Sequence, residues 1–182
     1  MPYPPYHLGA SGFFGLLFRR WLDVPVFVLA NVIVDLEVLA DGIFQPGWPV
    51  HRFLHFHTLL AGGAVGIVWG LAVYFIKPVR RFFQWIMKLL QMPYKVTAVK
   101  AAVSGMLGVW LHVFIDNLFH YDVQMVWPSR AKPLWKLLGR WHIRPSEQQI
   151  EYVCAAFMIG AVLLYILILS RTKRRDKTNI EH

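Results

Sequence analysis

Apolar runs of membrane length alternate along this chain with short polar interruptions, and the interruptions fall at a few fixed places. Two runs are nearly unbroken, His57 to Ile76 and Ile150 to Leu169. Each has about 20 residues, enough for a helix to cross a hydrocarbon core of roughly 30 Å. A third run, from about Thr97 to Phe119, carries His112 and Asp116 and is followed at once by His120. A fourth, Val24 to Ala40, is interrupted by Asn31, Asp35 and Glu37. The apolar stretch Leu8 to Phe18 is too short to decide between a short span, a re-entrant helix and an interfacial one. Phe82 to Met92 and Leu134 to Trp141 mix Trp with Lys or Arg, the pattern of helices lying at headgroup level. Ser146-Glu147-Gln148-Gln149 behind Pro145 reads as a capping box that opens the last helix.

These elements predict an all-α fold, a multi-pass transmembrane bundle of four to five hydrophobic helices plus two amphipathic interfacial helices. With no internal repeat and no low-complexity linker, residues 1–182 read as one integral membrane domain. Within it, residues 7–128 form a polar-site core, 147–170 a C-terminal transmembrane helix and 171–182 a basic tail.

Composition agrees. The chain is 57% hydrophobic and 16% charged, where soluble domains carry roughly a quarter charged residues. Its net charge of +9 comes from Lys and Arg beside apolar runs, which argues for membrane topology and against a nucleic-acid partner. Cys154 lies inside an apolar run and offers neither a disulfide nor a thiolate metal site. MPYPPYHLG lacks the basic region of a signal peptide, so the spans themselves are expected to direct insertion.

The runs Lys77-Pro78-Val79-Arg80-Arg81 and Arg171-Thr172-Lys173-Arg174-Arg175 each follow a strong span. Both are expected on the cytoplasmic side of a plasma or bacterial inner membrane, with the C-terminus. Arg19 and Arg20 fall on that side too. One segment opposes this orientation: Arg130, Lys132, Lys136, Arg140 and Arg144 land outside, where an amphipathic helix on an anionic leaflet accommodates them.

This topology sorts the ionisable residues. His112, Asp116 and His120 stand at i, i+4 and i+8, and each step of four drifts by only about 40° around a helix. They share one face at the outer end of the third run. Asp35 and Glu37 reach the same level, as do His51, His55 and His57 before the next run and His7 if the first segment runs inward. Ionisable groups at membrane depth are costly and usually functional, and imidazole with carboxylate is a common zinc ligand set. The bland alternatives are an interhelical hydrogen-bonding pair for His112 and Asp116, interfacial positions for His120 and Asp122, and a cap or an Arg52 salt bridge for Asp35. His142 reads as a headgroup-level residue, and the Gly62, Gly63 and Gly66 cluster as a close-packing surface rather than a phosphate loop.

At these residues the chain resembles the YdjM-like family of predicted membrane-bound metal-dependent hydrolases, grouped with zinc phospholipases C and the related fungal zinc nucleases. The resemblance is carried by His7 in His-Leu-Gly, Val34-Asp35-Leu36-Glu37, His51-Arg52-Phe53-Leu54-His55-Phe56-His57-Thr58 and His112-Val113-Phe114-Ile115-Asp116. His120-Tyr121-Asp122 and Trp127-Pro128 resemble an extension found in some relatives. The chain departs from the pattern with Val34 for Pro, Glu37 for a second Asp, and one extra residue between His51-Arg52 and His57-Thr58. That insertion leaves His55 and His57 as rivals for one ligand position, with His57 favoured because Thr58 and the apolar run follow it.

The resemblance implies a helical zinc-hydrolase core over residues 7–128, with one to three zinc or other divalent ions. The expected ligands are His7, Asp35, His57, His112 and Asp116, with His51 and His120 as further candidates. Glu37 or Asp122 is the expected proton acceptor for water activated there, and Arg52 suits a phosphate oxygen. A site at headgroup depth points to membrane lipids as partners and to a phospholipid or lipid-linked phosphoester as substrate. Two rivals from other classes use the same residues: a metal or proton pathway, and an inactive scaffold relative. A third, a bis-histidine haem protein, is disfavoured by the neighbouring carboxylates.

Overall fold

The computed structural model describes residues 4–44, 54–141 and 146–178. Within them the chain forms seven helices and no strand: α1 (Pro4–Leu17), α2 (Val24–Phe44), α3 (Leu59–Phe75), α4 (Lys77–Leu89), α5 (Ala98–Phe119), α6 (Pro133–Arg140) and α7 (Glu147–Thr178). The all-α expectation holds. The capping box is present as predicted, with Gln149 N donating to Ser146 Oγ at 3.2 Å and Ser146 N donating to Gln149 Oε1 at 2.9 Å. α7 continues to Thr178, so the start of the basic 171–182 segment is helical.

α5 is the central helix, and small residues let its neighbours approach. α3 lies antiparallel to it, with Gly62 against Val109, Gly66 against Gly105 and Gly70 against Ala101. A Cβ on Gly66 would run into the Gly105 backbone, so this contact requires glycine. The glycine cluster is thus a packing surface. α2 runs parallel to α5, tied by Asp23 N donating to Ser104 Oγ at 2.7 Å and packed through Ala30, Val34, Val109 and Val113. α1 lies parallel to α7, with Gly9 against Cys154 and Met158.

These directions give the bundle two ends. The starts of α1, α3 and α7 meet the later turns of α2 and α5 at one, here the histidine end. The other, the basic end, gathers the last turn of α1, the first turns of α2 and α5, and α4.

Ala98–Leu118 and Gln148–Thr172 are long and apolar enough to cross a membrane, and the α3–α4 pair makes a third only if counted as one broken span. That is fewer than the four to five spans expected. α1 has 14 residues, α3 has 17, and α2 carries Asp35 and Glu37 in its second half. α3 and α4 bend by 86°. Pro78 explains the break, because it has no N–H for the Tyr74 carbonyl, which the Arg80 guanidinium meets instead at 3.3 Å. α7 leaves Ile159, Val162, Leu163 and Ile166 more than half exposed. An apolar ladder of that length suits lipid, and membrane association follows.

Candidate metal centre

Four separate segments deliver ionisable side chains to the histidine end. Thr58 caps α3, accepting from Ala61 N at 3.1 Å, and this fixes the extended approach that turns His57 inward. The Leu59 amide donates to Met125 O at 2.8 Å, and Asn117 Nδ2 donates to Val123 O at 3.2 Å. These bonds hold the segment after α5 across that end, and Val123 joins the apolar cluster of Val34 and Val113 beneath it.

Within this frame, His112 Nε2 lies 3.3 Å from Asp35 Oδ1 and 3.1 Å from Asp116 Oδ2. His57 Nε2 lies 3.9 Å from Asp35 Oδ1 and 3.5 Å from Asp116 Oδ2. His7 Nε2 stands 3.2 Å from Asp116 Oδ1, and its ring stacks on His112 with centroids 4.5 Å apart. One ligand atom each from Asp35, His57 and His112 lies within 4.8 Å of the others. His7, His57, His112 and Asp116 are buried, whereas the Asp35 side chain keeps 29% exposure. The cluster therefore meets its surroundings on the Asp35 side.

The orientation of these groups is as informative as their distances. Both ring nitrogens of His112 are buried without an aligned hydrogen bond, although two carboxylates stand close to Nε2. Several such groups buried together cost several kcal/mol each unless paired or bound to a cation. Acceptor atoms that face one another across a short gap fit a divalent cation, and a His/Asp donor set suits zinc. The donor set can hold a metal.

Glu37 is fully buried, and it has a different place from the one expected. Its Oε2 lies 2.8 Å from His57 Nδ1 and accepts from His57 N at 3.2 Å, while Oε1 accepts from Leu54 N at 2.5 Å. Both oxygens are occupied in holding His57 and the chain before it, so the proton-acceptor role read from sequence does not match this placement. A carboxylate on Nδ1 favours the tautomer whose Nε2 lone pair faces the cluster. The missing signal was spatial, because Glu37 and Asp35 point in different directions on α2 and only the returning chain explains Glu37.

The rivalry between His55 and His57 is resolved in space. His55 sits at a positive φ of 58° and packs on Trp127 with ring centroids 4.5 Å apart, away from the three-residue group. His120 follows α5 as its C-cap and Asp122 lies in the next turn; neither belongs to that group. His51, Arg52 and His142 lie outside the described residues.

Comparison with protein-family models, curated proteins and solved structures finds no match to this chain. The fold and the site define it as an all-helical, membrane-associated protein with a buried His/Asp cluster able to hold a metal.

Proposed function

We propose that the chain is a membrane-embedded metal-dependent hydrolase that acts on a phosphoester, with zinc at the histidine end. One observation carries this reading: Asp35, His57 and His112 bring a ligand atom each within 4.8 Å, with Asp35 the exposed member of the three. Three protein ligands with one side left open is the arrangement of catalytic rather than structural zinc. Asp116 turns one oxygen to His57 and His112 and the other to His7. Asp116 would be a further ligand to an ion held there, with His7 beside it as a candidate for a second. A zinc ion held there supplies Lewis acidity towards a phosphoester oxygen and lowers the pKa of water towards about 7.

The chain's own residues divide the remaining work. Glu37 positions His57, Asp35 lines the entry, and the apolar cluster around Val34, Val113 and Val123 keeps bulk water from the ligands. Asp122 and Arg52 keep their proposed parts as proton acceptor and phosphate clamp. The short-motif resemblance to the YdjM-like family supports the same assignment. On this reading α1, α2 and α3 complete a bundle of four to five membrane-embedded helices. The Lys/Arg runs favour a cytoplasmic C-terminus and an outward-facing site at lipid headgroup depth.

The test is release of phosphate or a phosphorylated headgroup from phospholipid in nanodiscs. Activity should vanish on chelation, return with zinc and be absent in His112→Ala. Hydrolysis that survives both chelation and His112→Ala would sink the proposal. Zinc flux into proteoliposomes without hydrolysis would favour the pathway reading instead.

A further inference from the structure

The basic end holds a second feature, independent of metal chemistry. The turn between α1 and α2, the chain before α5 and the end of α7 enclose a cavity of about 360 Å³. Four cations line it, Arg19, Arg20, Lys95 and Lys100, together with Asp23 and Tyr94. Beside it lies an apolar groove of about 250 Å³, walled by Gly12, Leu16, Ala161 and Val162. The two share Val24, Met87 and Met92, so the charged cavity and the apolar groove lie side by side. Tyr165, the polar residue of the groove, donates its hydroxyl to Leu90 O at 3.0 Å.

A cationic chamber beside an apolar groove matches an amphiphile with an anionic head. Free phosphate would use only the first half. Asp23 lies at the wall of the chamber, 2% exposed, with its Oδ1 accepting from Val26 N at 3.2 Å and the Tyr94 hydroxyl facing its carboxylate.

We infer that the basic end binds one anionic phospholipid, its phosphate among Arg19, Arg20, Lys95 and Lys100 and an acyl chain in the Val162 groove. Ser104, beside Asp23, and Asp116 lie roughly 18 Å apart along α5 at 1.5 Å per residue. The lipid is therefore a bound partner and not the occupant of the histidine end.

Native mass spectrometry of the full chain in detergent micelles tests this with three probes: phosphatidylglycerol, phosphatidylcholine with the same chains, and soluble glycerol phosphate. One phosphatidylglycerol should bind at least about tenfold more tightly than phosphatidylcholine, and glycerol phosphate should not displace it. Arg20→Glu with Lys95→Glu, both at exposed residues, should abolish that preference. Val162→Trp should fill the groove and weaken phosphatidylglycerol binding with all four cations intact. If the double variant misfolds, Lys95→Gln alone should still lower the preference by about threefold. An unchanged preference in the charge variants, or displacement by glycerol phosphate at equal concentration, would overturn the inference.

Discussion

The two ends of this bundle are built from the same helices and have opposite chemistry. At the histidine end, the Nε2 atoms of His57 and His112 each stand 3.1–3.9 Å from oxygens of Asp35 and Asp116. At the basic end, four cations surround a cavity of about 360 Å³. One end presents donors for a cation and the other donors for an anion. The difference arises from how the chain enters each end. The histidine end is reached by the capped segment before α3 and covered by the segment after α5. The basic end is made by the turn between α1 and α2 and by the bend at Pro78, which lays α4 across the bundle. α5 passes through both and is the shared rigid element.

The hardest way to break this comparison is to separate α3 from α5. Gly66→Leu would drive a side chain into the Gly105 backbone and should cost more than about 4 kcal/mol. The expected outcome is loss of monodisperse protein on gel filtration, with both ends failing together. Recovery of a folded, metal-loaded variant would show that the glycine contact does not hold the ends in register.

A smaller change separates holding from binding. Glu37→Gln should lower metal affinity by about 10- to 100-fold while full occupancy is still reached at high metal, as for other partners of a ligand histidine. Competitive chelator titration reads this directly. An unchanged affinity would remove Glu37 from the account of His57.

Smaller again is the effect expected across the bundle. Arg20→Glu with Lys95→Glu should change metal affinity at the histidine end by less than about twofold. A separation of roughly 18 Å exceeds the Debye length of about 8 Å at physiological salt. A larger change would mean that the ends are coupled through α5. The smallest effect belongs to His55→Gly. It relieves a positive φ of 58° and should shift stability by no more than about 1 kcal/mol in thermal unfolding, with metal content unchanged. Loss of metal there would return His55 to the ligand set.

How much of this could be read in the sequence depended on whether the information was local. The four-residue step from His112 to Asp116 is a helix property, and it survives intact as a 3.1 Å contact. Asp35 and His7 were expected at the same level because topology alternates the direction of the apolar runs. Their approach to His112 and Asp116 needed the packing of α2 and α1 against α5 and α7. His57 was favoured over His55 because Thr58 and the apolar run follow it, and in space Thr58 caps α3. The inward turn itself is a backbone property that no spacing records. Glu37 was misjudged because its partners, His57 and Leu54, arrive from a different segment. At the basic end, Asp23 stands before α2 and accepts from Val26 N at 3.2 Å. Its neighbours Tyr94 and Lys100 come from distant chain, so the cavity was invisible until the helices were placed. Two spans are plain by length and composition; the larger count needs α2 with its acids and α3 with the bend after it, which apolar length alone does not decide.

The central claim is that the histidine end holds a metal, and anomalous scattering at the zinc edge from crystals of the purified chain tests it most directly. The expected result is a peak bonded to Asp35, His57 and His112 at about 2.0–2.2 Å, with occupancy lost in His112→Ala. A map without a peak, in which the same three side chains are closed by hydrogen bonds to one another, would contradict it.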